Sequence, residues 1–392
     1  MNHANPSHRR WLVKRRRGLR RAALGLSALG ILALSACGSA PAGGSPAAST
    51  STVQASNTPL SQSSAKPSAP TSSAAASGQA VQPKPTVIKV AYGSPSAAFL
   101  PLFVAEKEGL FAKYGLAESS IIMATSATQD AALASNEIQI NLSGAPTINS
   151  IDQGLPFVFT GAWLDTVIAS IMAQPGYQDI DQLLHDPKAT IAVNAPPALL
   201  NLCWRMVAQA RSVPLKQLQL LNINAIPATI AALESHQASA ICITEPNVSK
   251  LRSEGFKELL DVSTLKIPML QVGPVVTKQW GSAHRQEIED FYKATIVATY
   301  DLRRDRALGE SAIRQYLKMD DPVAVKAAYD TFAPKFVQVP KFPFESVAEY
   351  FRLLETPIPS ALDRSKYVDD SFVDQLQQSG FIQAAYAGKG PQ

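Results

Sequence analysis

An internal repeat places the strongest constraint on the fold of this chain. Residues 131–135 (AALAS) return one hundred positions later as residues 231–235 (AALES), and each copy is followed by a short strand-like run. Pro146 and Pro246 then stand at the same offset. Repetition of one helix–strand unit indicates two similar halves. Chance similarity of short alanine-rich helices is the alternative, and the matched prolines count against it.

The chain around these repeats alternates between strand-like and helix-like segments. The predicted strands are 87–92, 121–123, 138–142, 157–163, 190–193, 218–223, 240–243 and 275–277. The predicted helices are 101–114, 128–135, 147–153, 199–210, 228–235 and one after Pro246, followed by 286–302, 307–317, 322–330, 344–354 and 370–379. Alternation of this kind is typical of α/β proteins, in which parallel strands are joined by crossover helices.

The first 36 residues have the three parts of a bacterial lipoprotein signal peptide. Eight Lys and Arg side chains without an acid come first, an apolar run covers residues 22–34, and Leu34-Ser35-Ala36 precedes Cys37. We expect Cys37 to be the lipidation site that carries acyl chains such as palmitate, which would hold the protein on the outer face of the bacterial cytoplasmic membrane. An ordinary secretory signal is the alternative, and the apolar run is short for a membrane-spanning helix. Both the general secretory and the twin-arginine export routes stay open.

The segment that follows has the composition of a tether, and its removal changes the charge balance. Residues 37–85 are rich in Ser, Ala and Pro, and side chains of this kind bury too little apolar surface to fold. Without the leader, 36 minus 8 leaves 28 Lys and Arg against 31 Asp and Glu, which is a net charge of −3. A nucleic-acid partner is therefore not expected.

Two cysteines remain after Cys37. Cys203 and Cys242 both lie in apolar surroundings, which is typical of buried thiols. An exported protein reaches an oxidising compartment, so that a disulfide is the other possibility. The sequence leaves the choice between them open.

Residues 101–116 (PLFVAEKEGLFAKYGL), preceded by Tyr92-Gly93, resemble a stretch of one family of proteins. The family consists of the ABC-importer substrate-binding proteins of the nitrate, aliphatic sulfonate and taurine type, together with their relatives that bind thiamine pyrimidine precursors. The resemblance covers about residues 86–280, and the helix–strand units 128–146 and 227–246 look like paired motifs of that family. Two departures are visible: Asn136 and His236 replace the usual glycine, and Gln139 and Ser239 replace the usual aspartate.

The resemblance implies an α/β, two-lobed type II periplasmic-binding-protein fold. Residues 86–173 and 274–392 would form lobe 1, and residues 174–273 would form lobe 2. The implied function is that of a monomeric solute-binding lipoprotein that delivers a sulfonate-, nitrate-, taurine- or pyrimidine-like molecule to ABC permease subunits. A sensor of the same fold that signals to a membrane receptor is the alternative.

The residues that bind such a ligand follow from the geometry of parallel sheets, in which the binding crevice lies beyond the carboxyl ends of the strands. Small polar residues there serve as helix caps or as ligand contacts, since free N–H groups at helix starts attract an anion. Trp163 either stacks on a ligand or packs in the hinge, and Glu245 either faces the ligand or stabilises a helix start. The candidate ligand-binding residues are Ser94, Ser96, Thr125, Ser126, Ser143, Gly144, Trp163, Asn194, Thr244 and Glu245.

The sequence contains no pattern typical of an enzyme. No two of the five histidines have metal-ligand spacing on one helix, and there is no phosphate-binding glycine loop and no nucleophile elbow. We therefore expect no catalytic residue, no metal and no cofactor. An extracytoplasmic enzyme is the least favoured of the three hypotheses.

Overall fold

The computed structural model describes residues 85–388. The predicted signal peptide, the lipidation site at Cys37 and almost all of the tether lie outside these residues. Two β-sheets with flanking helices account for most of the described chain, and each sheet has its own order of strands.

The first sheet is built from strands at both ends of the described chain. Its order is β2-β1-β3-β11-β4, and β5 pairs with the first half of β11. β1 is parallel to β2 and β3, whereas β11 runs antiparallel to β3, β4 and β5. The strands are β1 (Thr86–Tyr92), β2 (Leu116–Ile122), β3 (Ile140–Ser143), β4 (Phe157–Phe159), β5 (Leu164–Thr166) and β11 (Pro268–Thr277).

The second sheet repeats this arrangement. Its order is β10-β6-β9-β7-β8, in which β7 is parallel to β8 and β9, and β6 runs antiparallel to β9 and β10. In both halves three parallel strands are followed by one reversed strand, β11 or β6, and then by a strand that again runs in the first direction, β4 or β10. The two halves thus share one arrangement, as the internal repeat predicts. The strands are β6 (Ser170–Ala173), β7 (Thr190–Val193), β8 (Gln219–Asn222), β9 (Ala240–Ile243) and β10 (Lys257–Asp261).

Sixteen α-helices surround the sheets along residues 85–388. Those before β11 are α1 (Leu100–Lys107), α2 (Leu110–Lys113), α3 (Ser126–Ala134), α4 (Thr147–Asp152), α5 (Ile180–His185), α6 (Leu199–Ala210), α7 (Ile226–Glu234) and α8 (Asn247–Ser253). Those after it are α9 (Lys278–Ala283), α10 (Arg285–Arg304), α11 (Arg306–Leu317), α12 (Pro322–Phe332), α13 (Glu345–Leu353), α14 (Arg364–Tyr367), α15 (Ser371–Gln378) and α16 (Phe381–Tyr386).

The repeated units fold alike down to the burial of single residues. Residues 131–140 and 231–240 share one pattern of helix end, turn and strand, and each position is buried or exposed to the same degree in both. Asn136 and His236 both have left-handed backbones, with φ values of 59° and 61°. The side-chain oxygens of Gln139 and Ser239 accept the backbone N–H of Lys89 and of Thr190 at 2.9 and 3.1 Å.

Two apolar cores hold the layers together. One core lies between the first sheet and the helices α1, α10, α11, α12 and α15, and Phe103, Phe291 and Phe332 belong to it. The other continues from the opposite face of the first sheet through the hinge into the second sheet, and α13 and α6 both contribute to it. The C-terminal helices therefore contact both halves of the molecule.

Several predicted elements differ from those observed. The predicted helix 101–114 is interrupted by Gly109, whose φ of 65° is left-handed and separates α1 from α2. The predicted strand 157–163 ends at Phe159, and the chain bends at Trp163 before β5. Between the two strands Gly161 packs closely on another segment, because a Cβ atom there would come within 2.2 Å of the carbonyl oxygen of Pro340. The parallel pairing that the alternation predicts holds for β1, β2 and β3 and for β7, β8 and β9, whereas β6 and β11 pair only with antiparallel neighbours.

The chain passes from the first sheet to the second between Thr166 and Ser170 and returns between Asp261 and Pro268. Both crossings precede the boundaries that the sequence places after residues 173 and 273. The reason is that β6 pairs with β9 in the second sheet and that β11 is one long strand of the first sheet.

Candidate functional site

Three neighbouring parallel strands of the first sheet end side by side. Tyr92, the last residue of β1, lies opposite Ile122 of β2 and Leu142 of β3. The loops that follow carry the small polar residues that the sequence selects. The candidates of this lobe that come directly after these strand ends are Ser94, Ser96, Thr125, Ser126, Ser143 and Gly144.

Some of these residues satisfy the backbone of their own helices. The Thr125 hydroxyl accepts the N–H of Thr128 at 3.2 Å at the start of α3, and the Ser96 hydroxyl accepts the N–H of Ala98 at 3.2 Å. These two residues are helix caps, worth about 1 kcal/mol each. Ser94 and Ser126 are exposed, and neither forms a side-chain hydrogen bond within residues 85–388. Their hydroxyls are therefore free for a ligand.

Ser143 and Gly144 connect the end of β3 to the hinge. The Ser143 hydroxyl lies 2.7 Å from that of Thr147, and Gly144 leaves no room for a side chain, because a Cβ atom would come within 2.5 Å of the carbonyl oxygen of Gln271. The Gln271 side chain accepts the N–H of Ile168, in the first crossing, at 2.5 Å. Gly144 thus allows the two backbones to pack closely. Gln271 is a hinge residue that the sequence analysis did not select, because it lies in an apolar run.

The second lobe presents a matching set of strand ends. Val193 of β7 lies opposite Asn222 of β8, and Ala192 lies opposite Ile241 of β9. Asn194, which is 8% exposed, donates from Nδ2 to the carbonyl of Ile223 at 2.9 Å. Asn194 and its neighbours therefore hold two adjacent strand-end loops together.

Trp163 belongs to the core of the first lobe. Its side chain is 3% exposed and stacks on Phe291 with ring centroids 6.0 Å apart. Its carbonyl accepts the N–H of Val337 at 3.0 Å. The packing interpretation therefore fits this residue, and stacking on a flat ligand does not.

Thr244 and Glu245 follow β9 at the start of α8. Thr244 is half-buried, whereas Glu245 is 5% exposed, and its two carboxylate oxygens accept the N–H and the hydroxyl of Ser249, each at 3.0 Å. Burial raises the pKa of Glu245, and the two bonds from Ser249 oppose that rise. The carboxylate thus satisfies free donors in the first turn of α8.

Both sets of strand ends adjoin the crossings between the sheets. Ser143 at the end of β3 pairs with Gly273 in the middle of β11, the strand that follows the second crossing. Ile243 at the end of β9 pairs with Ser170, the first residue after the first crossing. Each set of strand ends therefore lies beside a strand that leads to or from a crossing.

Comparison with solved structures identifies this architecture. The nitrate-binding protein NrtA of Synechocystis PCC 6803 has a TM-score of 0.63 at 14% identity, over 79% of this chain and 92% of that one. The aliphatic sulphonate binding protein SsuA of Escherichia coli has a TM-score of 0.59 at 15% identity, over 74% and 100%. A gene product of Candida albicans, described as having the generic periplasmic binding protein fold, has a TM-score of 0.54 at 14% identity, over 75% and 95%.

The chain has the two-lobed periplasmic-binding-protein fold. The resemblance of the sequence predicts this fold, and the solved structures confirm it. At identities this low the likeness extends to the fold alone. The sequence itself matches no protein-family model and no curated protein.

The loops that follow the strand ends in this periplasmic-binding-protein fold contain almost no charged side chain. The loops after the strand ends are 93–96, 124–126, 143–145, 194–198, 223–226 and 244–245, and Glu245 is their one ionisable residue. α6 and α7 begin after Ala198 and Ala225, neither of which caps its helix with a side chain. The free N–H groups of these helix starts and the hydroxyls of Ser94 and Ser126 are donors suited to a small polar molecule.

Residues 85–388 contain neither a metal-binding cluster nor a membrane-spanning helix. No group of three or more His, Cys, Asp or Glu side chains there is arranged to hold a metal ion. No helix in that part of the chain has the length and apolarity needed to cross a bilayer.

Proposed function

We propose that this protein captures one small solute between its two lobes and delivers it to an ABC importer. The observation that carries the proposal is that the strand ends of both lobes adjoin the two hinge crossings. A solute in that gap would contact both lobes and draw them together, as hinge closure does in proteins of this kind. Neighbours of the same fold are described as nitrate- and sulphonate-binding proteins, which supports the same role here.

The solute class that we propose is sulfonate-, nitrate-, taurine- or pyrimidine-like. Free helix N–H groups and exposed hydroxyls bind an anion or a polar ring without a charged partner. Of the ten candidate residues, Ser94 and Ser126 are proposed as direct contacts. Thr125, Ser96 and Asn194 are proposed to shape the loops, and Trp163 and Glu245 to support them.

We further propose that the mature chain is an extracytoplasmic lipoprotein that is anchored through Cys37. The disulfide between Cys203 and Cys242 supports export, because such bonds persist in oxidising compartments. Replacing Cys37 by Ser should release the protein from the membrane fraction, whereas replacing the buried Cys203 should not. A Cys37→Ser protein that stays bound to membranes would contradict the anchor.

A thermal-shift screen of the full chain tests the binding role. Sulfonates, taurine, nitrate, pyrimidines and amines would each be added at millimolar concentration, and we expect one class to raise Tm in proportion to the logarithm of its concentration. Ser126→Trp should weaken that binding at least tenfold by filling the gap. Ser282→Trp, near the end of β11 that lies away from the gap, is the matched control. If no solute stabilises the protein, the binding proposal fails.

The sensor hypothesis differs in the partner that receives the closed form. A sensor would bring its closed form to a membrane receptor, whereas an importer component would dock on a permease. Gene neighbours distinguish the two, since a permease and ATPase pair favours import and a sensor kinase favours signalling. Turnover of the bound solute by the purified protein would instead favour an enzyme.

A further inference from the structure

A ligand-sized cavity lies between the C-terminal half of α6 and the end of α13. Its volume is about 450 Å³, which is within the range of small-molecule sites. It is separate from the strand-end loops, because α6 begins at the gap with Leu199 and runs away from it. The residues that line this cavity, called here the α6–α13 groove, are Arg205, Ala208, Gln209, Ser212, Val213, Pro214, Leu215, Arg352, Leu353 and Glu355.

Arg205 is the distinctive side chain of the groove. Its Nε donates to Oδ1 of Asn201 at 2.8 Å, and its Nη1 donates to the carbonyl of Leu353 at 2.9 Å. Among the ion pairs of residues 85–388 none includes Arg205, and three of its five N–H groups are left over after these two bonds. A half-buried guanidinium that is fixed in place and lacks a carboxylate is suited to an anionic ligand.

The other residues of the groove determine the polarity and the charge of a ligand that would fit there. Ala208, Val213, Leu215 and Leu353 are buried and give the groove an apolar floor. At the rim, Arg352 forms an ion pair with Glu349, so that its charge is already compensated. The carboxylate of Glu355 is also on the rim and disfavours a ligand with more than one negative charge.

We propose that the α6–α13 groove binds a small molecule with one anionic group and an apolar body. The anionic group accepts hydrogen bonds from the free N–H groups of Arg205, and the apolar body covers the floor. Such a ligand contacts α6 of the second lobe and α13, which packs on β11 of the first sheet. It therefore joins the two halves at a place distant from the solute.

A chain of hydrogen bonds connects this groove to the gap between the lobes. Asn201, which orients Arg205, donates from Nδ2 to the carbonyl of Asn194 at 2.7 Å. Asn194 in turn donates to the carbonyl of Ile223 at the end of β8. An anion at Arg205 therefore acts on the same loops that the solute is proposed to contact, and this coupling, unlike the groove itself, depends on the proposed function.

Benzoate and benzamide are a matched pair of probes for the groove, since they share a ring and differ in charge. Calorimetric titration of the full chain should show benzoate binding at one site, at least tenfold more tightly than benzamide. Arg205→Gln should abolish this preference. Arg211→Gln, at the C-cap of the same helix and paired with Asp181 outside the groove, should leave the preference for benzoate within twofold. Equal affinity of the wild type for the two probes would overturn the proposal. An Arg205→Gln variant that keeps the preference for benzoate would overturn it as well.

Hydrogen exchange of the wild-type chain tests the same site if Arg205→Gln fails to fold. Benzoate should slow exchange of the amides of Val213, Leu215 and Leu353. Protection confined to residues 93–96 and 194–198 would place benzoate in the gap between the lobes and rule out the groove. Neither measurement requires the transported solute, so that failure here leaves the solute-binding proposal standing.

Discussion

Asn136 and His236 occupy equivalent left-handed positions at the ends of α3 and α7. The N–H groups of the two residues donate to Leu133 and Leu233 at 3.1 Å, so that the same tight turn ends both helices. A left-handed backbone costs a residue with a Cβ atom about 1 kcal/mol or more, and Asn tolerates it better than His. The glycine that the resemblance leads one to expect at both positions would remove this cost.

His236→Gly should therefore raise the free energy of unfolding by about 0.5–1 kcal/mol, after the greater entropy of glycine in the unfolded chain is subtracted. Urea unfolding measures the change. Asn136→Gly should give a smaller gain, and His236→Ala should give none because alanine keeps the Cβ atom. A His236→Ala variant as stable as His236→Gly would show that backbone strain is not the cause.

Glu106 and Glu118 form a carboxyl pair between α1 and β2. Burial, and then the charge of Glu106, raise the pKa of Glu118 to about 9, and burial also raises the pKa of Glu106. The hydroxyls of Tyr92, Ser120 and Tyr316 also face this pair. The folded protein thus keeps a proton on Glu118 that the unfolded chain releases above about pH 4.5.

Because the folded state binds more protons between about pH 4.5 and 9, stability should fall as pH rises through that window. Glu118→Gln imitates the protonated carboxyl group and should remove part of this loss of stability. At pH 8 its free energy of unfolding should exceed that of the wild type by about 1 kcal/mol or more. Thermal unfolding at pH 5 and pH 8 measures it. Glu108→Gln, at an exposed position in the same region, is the control, and equal pH slopes for the two variants would contradict the prediction.

At the scale of elements, the second lobe contains a covalent connection that its sequence left undecided. Cys203 of α6 and Cys242 of β9 form a disulfide, with Cα atoms 6.7 Å apart. The apolar neighbours of both cysteines favoured buried thiols, and both side chains are indeed buried. Local sequence describes the environment of each thiol, whereas pairing depends on how α6 crosses the sheet, which is a tertiary property.

Removing this disulfide should destabilise the protein. Closing a loop of 39 residues restricts the unfolded chain by about 4 kcal/mol in the entropic model, and measured effects are about 2–5 kcal/mol. Cys203→Ala/Cys242→Ala should lower Tm, and a reducing agent should lower the Tm of the wild type but not that of the double variant. Two free thiols in the denatured, unreduced wild-type chain would contradict the pairing.

The elements that sequence predicted correctly are those whose pattern is local. β7, β9 and α6 have the predicted bounds because an apolar run with clear ends fixes each of them. β6 and β10 were missed, and β11 was predicted as residues 275–277 only. These strands pair antiparallel with partners far along the chain, so that no local pattern marks them. Gln271 stands within the apolar run of β11, and its hydrogen bond to Ile168 in the first crossing depends on tertiary structure.

At the scale of the whole molecule, the position of the gap followed from sequence more readily than the roles of its residues. The rule that ligands bind beyond the carboxyl ends of parallel strands selected loops beside the strands that lead to the two crossings, and the binding role of these loops stays a prediction. It did not separate Ser94, whose hydroxyl is free, from Thr125, which caps α3. It also selected Trp163, whose burial depends on contact with the distant α10.

Closure by a solute should protect both lobes at once. With the solute that raises Tm most, hydrogen exchange should slow in residues 93–96 and 124–128 of the first lobe and in residues 194–198 and 223–226 of the second. The amides of Phe291 and Ala294, buried in the middle of α10, serve as an internal reference because closure does not change their surroundings. Protection in one lobe alone would mean that the solute binds a surface without drawing the lobes together. In that case the hinge geometry would have no part in capture, since closure requires one molecule to contact strand ends on both sides of the two crossings.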